Sequence, residues 1–328
     1  ASDEYEGRAT GKEGQKKSAK YLSEQFSASG ITPYNEKWYQ EFELLEKTTN
    51  VTIKINNTGF DFEKDFYFFP GFTDTVFTIK EVVFTGYGID DKKYSDYKSS
   101  VKGKFLIILD GEPFDKNGKS LVTETDRPSD WSFDSRKKIT LAKEKGAAGL
   151  LIIKSDFDKS FQRLKHFILT PSVELKKYEG DNSSGRKRVH AFFISQTMAQ
   201  SVISESEIEK LKLKIKESGK TVSKKIKTKI EINVSKTVKE LTAENVLAFI
   251  EGTDKKDEIL VLTAHYDHLG KEGDEVYNGA DDDGSGTVAL IEIAEAFSEA
   301  CKNGNRPRRS ILIMPVSGEE KGLLGSYY

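Results

Sequence analysis

The chain has 328 residues, and its 51 lysines and arginines nearly cancel 53 aspartates and glutamates, leaving a net charge of −2. That balance removes a general electrostatic case for nucleic acid or an anionic membrane surface, and no run approaches the ~20 apolar residues of a membrane-spanning helix. The single cysteine, Cys301, cannot form an internal disulfide, and the length favours two domains over one core.

Residues 12–29 carry Ala19, Leu22, Phe26 and Ser29 at helical spacing, with Gly30 as the stop. An extended stretch follows from Ile31 through Tyr39 and Phe42. From about residue 46 the texture becomes β-rich. Val51, Ile53 and Ile55 alternate with polar residues up to an Asn-Asn-Thr-Gly turn, and the aromatic cluster 66–69 stops at Pro70. Apolar runs recur at 82–88, 104–111, 149–154 and 190–195, with one helix near 135–146. Three of these runs are apolar on both faces, as central strands are. Residues 207–217 predict a lysine-rich helix with Ile208, Leu211 and Ile215 on one face. Residues 224–234 alternate at period two and predict an edge or surface strand. The basic loop 185–190, GRKRVH, is too short to carry a nucleic-acid assignment.

From residue 244 the apolar runs lengthen. Residues 245–252 and 259–264 predict strands, and 285–300 predict a largely buried helix whose only charged face is Glu292, Glu295 and Glu299. Residues 311–316 predict the next strand, which makes 259–316 a βαβ unit with a right-handed crossover.

Three clusters of metal-seeking side chains lie just beyond these strands. His265, Asp267 and His268 follow the first, Asp281, Asp282 and Asp283 occupy a Gly-flanked turn before the helix, and Glu319 and Glu320 follow the second. Open α/β sheets bind ligands outside the carboxyl ends of their strands. Imidazole and carboxylate donors with one carboxylate left free are what a hydrolytic metal centre needs. Taken singly, each cluster has an ordinary structural explanation: a strand-end histidine, a turn, a helix-dipole pair. Residues 281–292 also fit an EF-hand loop loosely, with Gly286 at six and Glu292 at twelve, but a strand rather than a helix precedes them.

AHYDH (264–268), NGADDDGSG (278–286) and SGEEKGLLGS (317–326) resemble, in that order, the co-catalytic zinc aminopeptidases of metallopeptidase family twenty-eight. The resemblance implies that His265, Asp282 and Glu320 are metal ligands and that Asp282 bridges two Zn²⁺ ions per complete site, commonly with a cis peptide to the next Asp. It further implies that Glu319 is the general base and that Asp267 orients the histidine. The segment 6–22 is similar to the family's first helix. Residues 84–113 and 138–153 are similar to a protease-associated (PA) domain. The implied architecture is α/β. It consists of a partial mixed or parallel-sheet zinc-peptidase domain with helices on both faces (1–45 and 236–328) and an inserted β-rich α+β PA domain (46–235).

The family takes a further Asp and a further His from later in its domain. No matching residues occur here, since His166 and His190 lie in the insert. The expectation is therefore an incomplete site that needs the remaining C-terminal part of the peptidase domain. The substrate implied is a peptide or protein N-terminus, with no nucleic acid or membrane span as partner, and family analogy points to a secreted or periplasmic location. A glutamate-carboxypeptidase-like enzyme, a glutaminyl cyclase and a non-catalytic receptor-like binding protein are the alternatives.

Overall fold

The structure is a computed structural model that describes residues 1–178 and 189–328; residues 185–188 of the basic loop lie outside them. In chain order the elements used below are α1 (Glu13–Ala28), β1 (Thr32–Pro33), β2 (Tyr39–Ile55), β3 (Thr58–Phe60), β4 (Phe66–Tyr67), β5 (Thr75–Thr85) and β6 (Phe105–Leu109). Then come α2 (Ser135–Glu144), β7 (Gly149–Ile153), α3 (Phe157–Leu169), β8 (Ser172–Leu175), β9 (His190–Ile194), α4 (Gln196–Gln200) and α5 (Glu205–Ser218). The last are β10 (Ser223–Val246), β11 (Ala248–Ile250), β12 (Lys255–His265), β13 (Gly270–Glu272), β14 (Glu275–Tyr277), α6 (Ser285–Lys302), β15 (Arg309–Val316) and α7 (Leu324–Tyr327).

The chain forms two compact units. The first comprises Ala1–Lys47, a segment beginning at Ser172 and Val238–Tyr328; the second comprises Thr48–Pro171 and a segment ending at Thr237. The strands β2 and β10 run through both.

In the second unit, β5, β6, β7 and β9 are parallel neighbours, flanked by antiparallel β10 and β4. All five residues of β6, β7 and β9 are buried. Period two explains this, because successive side chains enter opposite cores. Phe105, Ile107, Leu151, Ile153, Phe192 and Ile194 pack with α5 residues Ile208 and Leu211. Leu106, Ile108, Leu150, Ile152 and Phe193 pack with Ala142 of α2 and Phe157 and Phe161 of α3. The Asn56–Asn57 pair, both at positive φ, closes the β2–β3 hairpin, and Ile55 faces Thr58. The 224–234 segment is not an edge strand. It lies inside the sheet because β2 and β5 take its two edges, while Thr228, Ile230, Ile232 and Val234 form its buried face.

In the first unit the sheet order is β1-β11-β15-β12, with β12 and β15 parallel and α6 as their crossover. Ala19, Leu22 and Phe26 of α1 share one core with Leu290, Ile291 and Ala294 of α6 and with Ile311 and Ile313 of β15. The helix α1 stops at Ser29, and Gly30 turns at φ 84°. The expectation of a largely buried α6 is overturned, since Val288 is 55% exposed. The apolar strand β12 is likewise half-exposed at Ile259, Leu260 and Val261. Both follow from the position of β12 at the sheet edge, with β15 its neighbour on one side.

Ile313, at 0% exposure on the central strand, and Leu260, at 50% on the edge, make a paired test. Ile313→Ala should cost about 2–5 kcal/mol, whereas Leu260→Lys should stay within about 0.5 kcal/mol. Both would be read from denaturant midpoints, and a large loss at Leu260 would contradict the edge assignment.

Candidate metal centre

The site lies at the carboxyl ends of β12 and β15 and at the start of α6. In the parallel ladder His265 pairs with Val316, so the His265–His268 segment and the Ser317–Glu320 segment leave the sheet side by side. Asn245 holds the second exit. Its buried side chain accepts from the Ser317 N–H at 3.2 Å and donates to the Gly325 carbonyl at 2.9 Å.

The Asp triplet is delivered by a turn that begins at Gly279. There φ is 50°, and a Cβ would collide with the His268 ring and the Asp282 carbonyl. Asp282 and Asp283 have non-helical backbone angles, and the peptide between them is cis. Asp283 points inward. It accepts from the His265 N–H at 3.2 Å and from the Gly286 N–H at 3.0 Å. Asp282 points outward, its side chain 72% exposed.

His265, Asp282 and Glu320 each offer a ligand atom, and these atoms all lie within 4.8 Å of one another. His265 Nε2 is 3.0 Å from Asp282 Oδ1 and 3.9 Å from Glu319 Oε2. On the other side of the ring, Nδ1 lies 3.1 Å from the Asp267 carbonyl oxygen and 3.8 Å from its carboxylate. The histidine is thus oriented chiefly by the Asp267 main chain. The Asp267 carboxylate, fully buried, accepts from Thr10 Oγ1 at 2.6 Å and from the Glu319 N–H at 3.2 Å. It positions the peptide that carries the glutamate pair. His268 Nδ1 faces Glu320 Oε1 at 2.7 Å, and both atoms are buried with no well-aligned hydrogen bond. Asp281 contributes no side-chain donor to the cluster.

This arrangement fits a cation. With Nδ1–H donated to a carbonyl, Nε2 and the Asp282 oxygen present lone pairs to each other, and a proton or a metal ion must lie between them. Among the described residues no lysine or arginine pairs with Asp282, Glu319 or Glu320. Burial pulls the His265 imidazolium down, but the Asp267 carbonyl and the Asp267, Glu319 and Asp283 carboxylates outweigh it and raise its pKa above the ordinary value. Burial pushes the Asp267 carboxyl up, against its hydrogen bonds from Thr10 and Glu319. Burial also holds the neighbouring Lys321 ammonium below its usual value.

Sequence reasoning did not single out Arg8, Thr10 or Asn245. Each acts across more than seventy positions, and only the short EGRAT segment, noted for its resemblance to a first helix, marked the first two.

Residues 245–328 match the family model of peptidase family M28. A probable zinc metalloprotease of Pyrenophora tritici-repentis is 33% identical over 117 residues, 34% of this chain and 23% of that protein. Transferrin receptor protein 1 of Gallus gallus is 23% identical over 329 residues, 94% of this chain and 39% of the receptor. An aminopeptidase from Aneurinibacillus sp. strain AM-1 is 19% identical in structural alignment, with a TM-score of 0.47 over 97% of this chain and 61% of that one. The chain spans well under half the length of these two curated relatives.

In the metal-free protein the His265 imidazole should titrate above 6.5, and Asp267→Asn should lower its pKa, read from histidine ring resonances by NMR. The raised folded-state value means that protonation of His265 stabilises the metal-free fold. That contribution is complete below the unfolded value and is lost as pH rises through the folded pKa. An unmoved pKa in Asp267→Asn would contradict the contribution assigned to the Asp267 carboxylate charge.

Proposed function

We propose that this chain carries the metal-site half of an aminopeptidase-type exopeptidase that hydrolyses the N-terminal peptide bond of peptides. The single observation that carries this reading is the convergence of His265, Asp282 and Glu320 within 4.8 Å, with the Glu319 carboxylate beside them. When bound, Zn²⁺ would supply Lewis acidity, polarising a scissile carbonyl and acidifying water. His265, Asp282 and Glu320 would hold it. The family resemblance implies that Asp282, whose side chain is 72% exposed, would be the ligand shared by two ions.

Glu319 accepts a proton from the attacking water at its carboxylate. The hydroxyl adds to the carbonyl carbon, the C–N bond breaks, and Glu319 returns the proton to the departing amine. Asp267 keeps this base in register through the Glu319 N–H and aligns His265 through its own carbonyl. The residues that converge here complete at most one ion, so a second needs donors from elsewhere. The exposed β12 edge is a surface that further strands would cover, and it adjoins the site. We read the second unit as a PA insert, on the motifs at 84–113 and 138–153.

A binding-protein reading follows from the receptor's alignment, but an intact base beside three convergent donors counts against it. A carboxypeptidase reading is separated by comparing N-blocked with C-blocked peptides.

Zinc titration of the 328-residue chain should give one ion per chain, weakened at least tenfold by His265→Ala or Glu320→Gln. Aminoacyl-nitroanilide hydrolysis by this chain alone should be absent or very slow. In a polypeptide that supplies the missing donors, Glu319→Gln should cut turnover by roughly 10²–10⁴ while zinc stays bound. Zinc binding indifferent to His265 and Glu320 would overturn the reading.

A further inference from the structure

The N-terminal turn Asp3–Arg8 takes no part in the chemistry above, yet it is built into the site. Glu6, Gly7 and Arg8 all have positive φ, at 51°, 64° and 53°. Gly7 passes so close to the Gly270 and Tyr277 carbonyls that no Cβ fits, which seats the turn against the paired ends of β13 and β14. The next residue, Arg8, is only 6% exposed.

Its guanidinium is paired with no carboxylate among the described residues. Instead Nε donates to the Tyr266 carbonyl at 2.7 Å, Nη1 to the Asn278 carbonyl at 2.7 Å and Nη2 to the Gly279 carbonyl at 3.0 Å. The Arg8 carbonyl in turn accepts from the His268 N–H at 3.1 Å, and Ala9 bridges to His268. Two residues on, Thr10 holds Asp267.

We infer that Arg8 is a positioning residue that fixes the distance between the strand-end loop carrying His265 and the turn carrying Asp282. Tyr266 follows the histidine directly, and Gly279 precedes Asp282 by three residues. Three carbonyls that point toward one another repel unless a donor lies among them. A buried cation with its N–H groups in a fixed fork meets all three at once. Lysine offers one nitrogen and cannot span them. The burial of the guanidinium without a carboxylate partner depresses its pKa, a cost tolerated where three main-chain acceptors replace water. The bearing of this device on metal affinity rests on the reading of the site given above; its bearing on the turn does not.

The test uses the whole chain with Arg8→Gln, Arg8→Lys and, as a control, Lys271→Ala, which removes the exposed Glu6–Lys271 pair from the same turn. The first readout is amide hydrogen exchange in the metal-free protein at Gly284, whose N–H donates to the Gly279 carbonyl, and at Gly286, bonded to Asp283. Arg8→Gln should speed both at least tenfold with Ile313 unchanged, Arg8→Lys should be intermediate, and Lys271→Ala should match the parent. The second readout is calorimetric titration with Zn²⁺ alone, where Arg8→Gln should bind at least tenfold more weakly. Unchanged exchange at Gly284, or acceleration matched at Ile313, would overturn the inference. Should Arg8→Gln fail to fold, Arg8→Lys carries both readouts. If the parent chain binds no zinc, the metal reading fails and the exchange result still decides the role of Arg8.

Discussion

Asp267 is the residue on which the site's geometry depends. A carboxylate with no solvent contact must have its lone pairs met within the protein, and here Thr10 and the Glu319 main chain meet them. Its own carbonyl faces the His265 ring. One buried acid thereby links the N-terminal segment, the end of β12 and the end of β15. None of these segments can shift without leaving this buried carboxylate short of a hydrogen bond that offsets its burial. The relative placement of ligand and base is therefore set by electrostatic necessity rather than by loop packing.

The parallel ladder supplies the coarse placement that Asp267 refines. Because β12 and β15 are neighbours with their carboxyl ends together, a histidine and a glutamate pair more than fifty positions apart emerge at the same height. The crossover helix must begin at that same end, which brings the Asp triplet with it. Rigid strands and a buried acid fix the donors before any ligand arrives, the arrangement that keeps reorganisation out of binding.

Local periodicity made α1, α5 and β15 legible, since each buries the residues that its spacing marks; it also marked α6 as a helix, but not how much of it is exposed. The helix α3 was also within reach, with Phe157, Phe161, Leu164 and Ile168 at helical intervals, but its interspersed charges masked the pattern. The convergence of His265, Asp282 and Glu320 followed from strand-end position, a rule about topology rather than about residues. Arg8, Thr10 and Asn245 were not legible, because their partners are main-chain groups far along the chain and no side-chain type signals a carbonyl. The interior position of β10 was misjudged for a related reason. Alternation tells which face is buried, whereas the number of neighbours a strand has is decided by other segments.

The exposure of β12 and α6 ties the openness of the site to its charge. Apolar residues on both faces of a parallel strand ordinarily mean cover on both sides, and here Ile259, Leu260, Val261 and Val288 lie half in water. Asp282 shares that exposure, its side chain 72% exposed, so bulk solvent screens it from Glu319 and Glu320. Any segment that covered this edge would remove the screening. Repulsion among the carboxylates would grow as the local dielectric fell, and a divalent cation would become the cheapest way to relieve it. Cover and cation would then each strengthen the binding of the other.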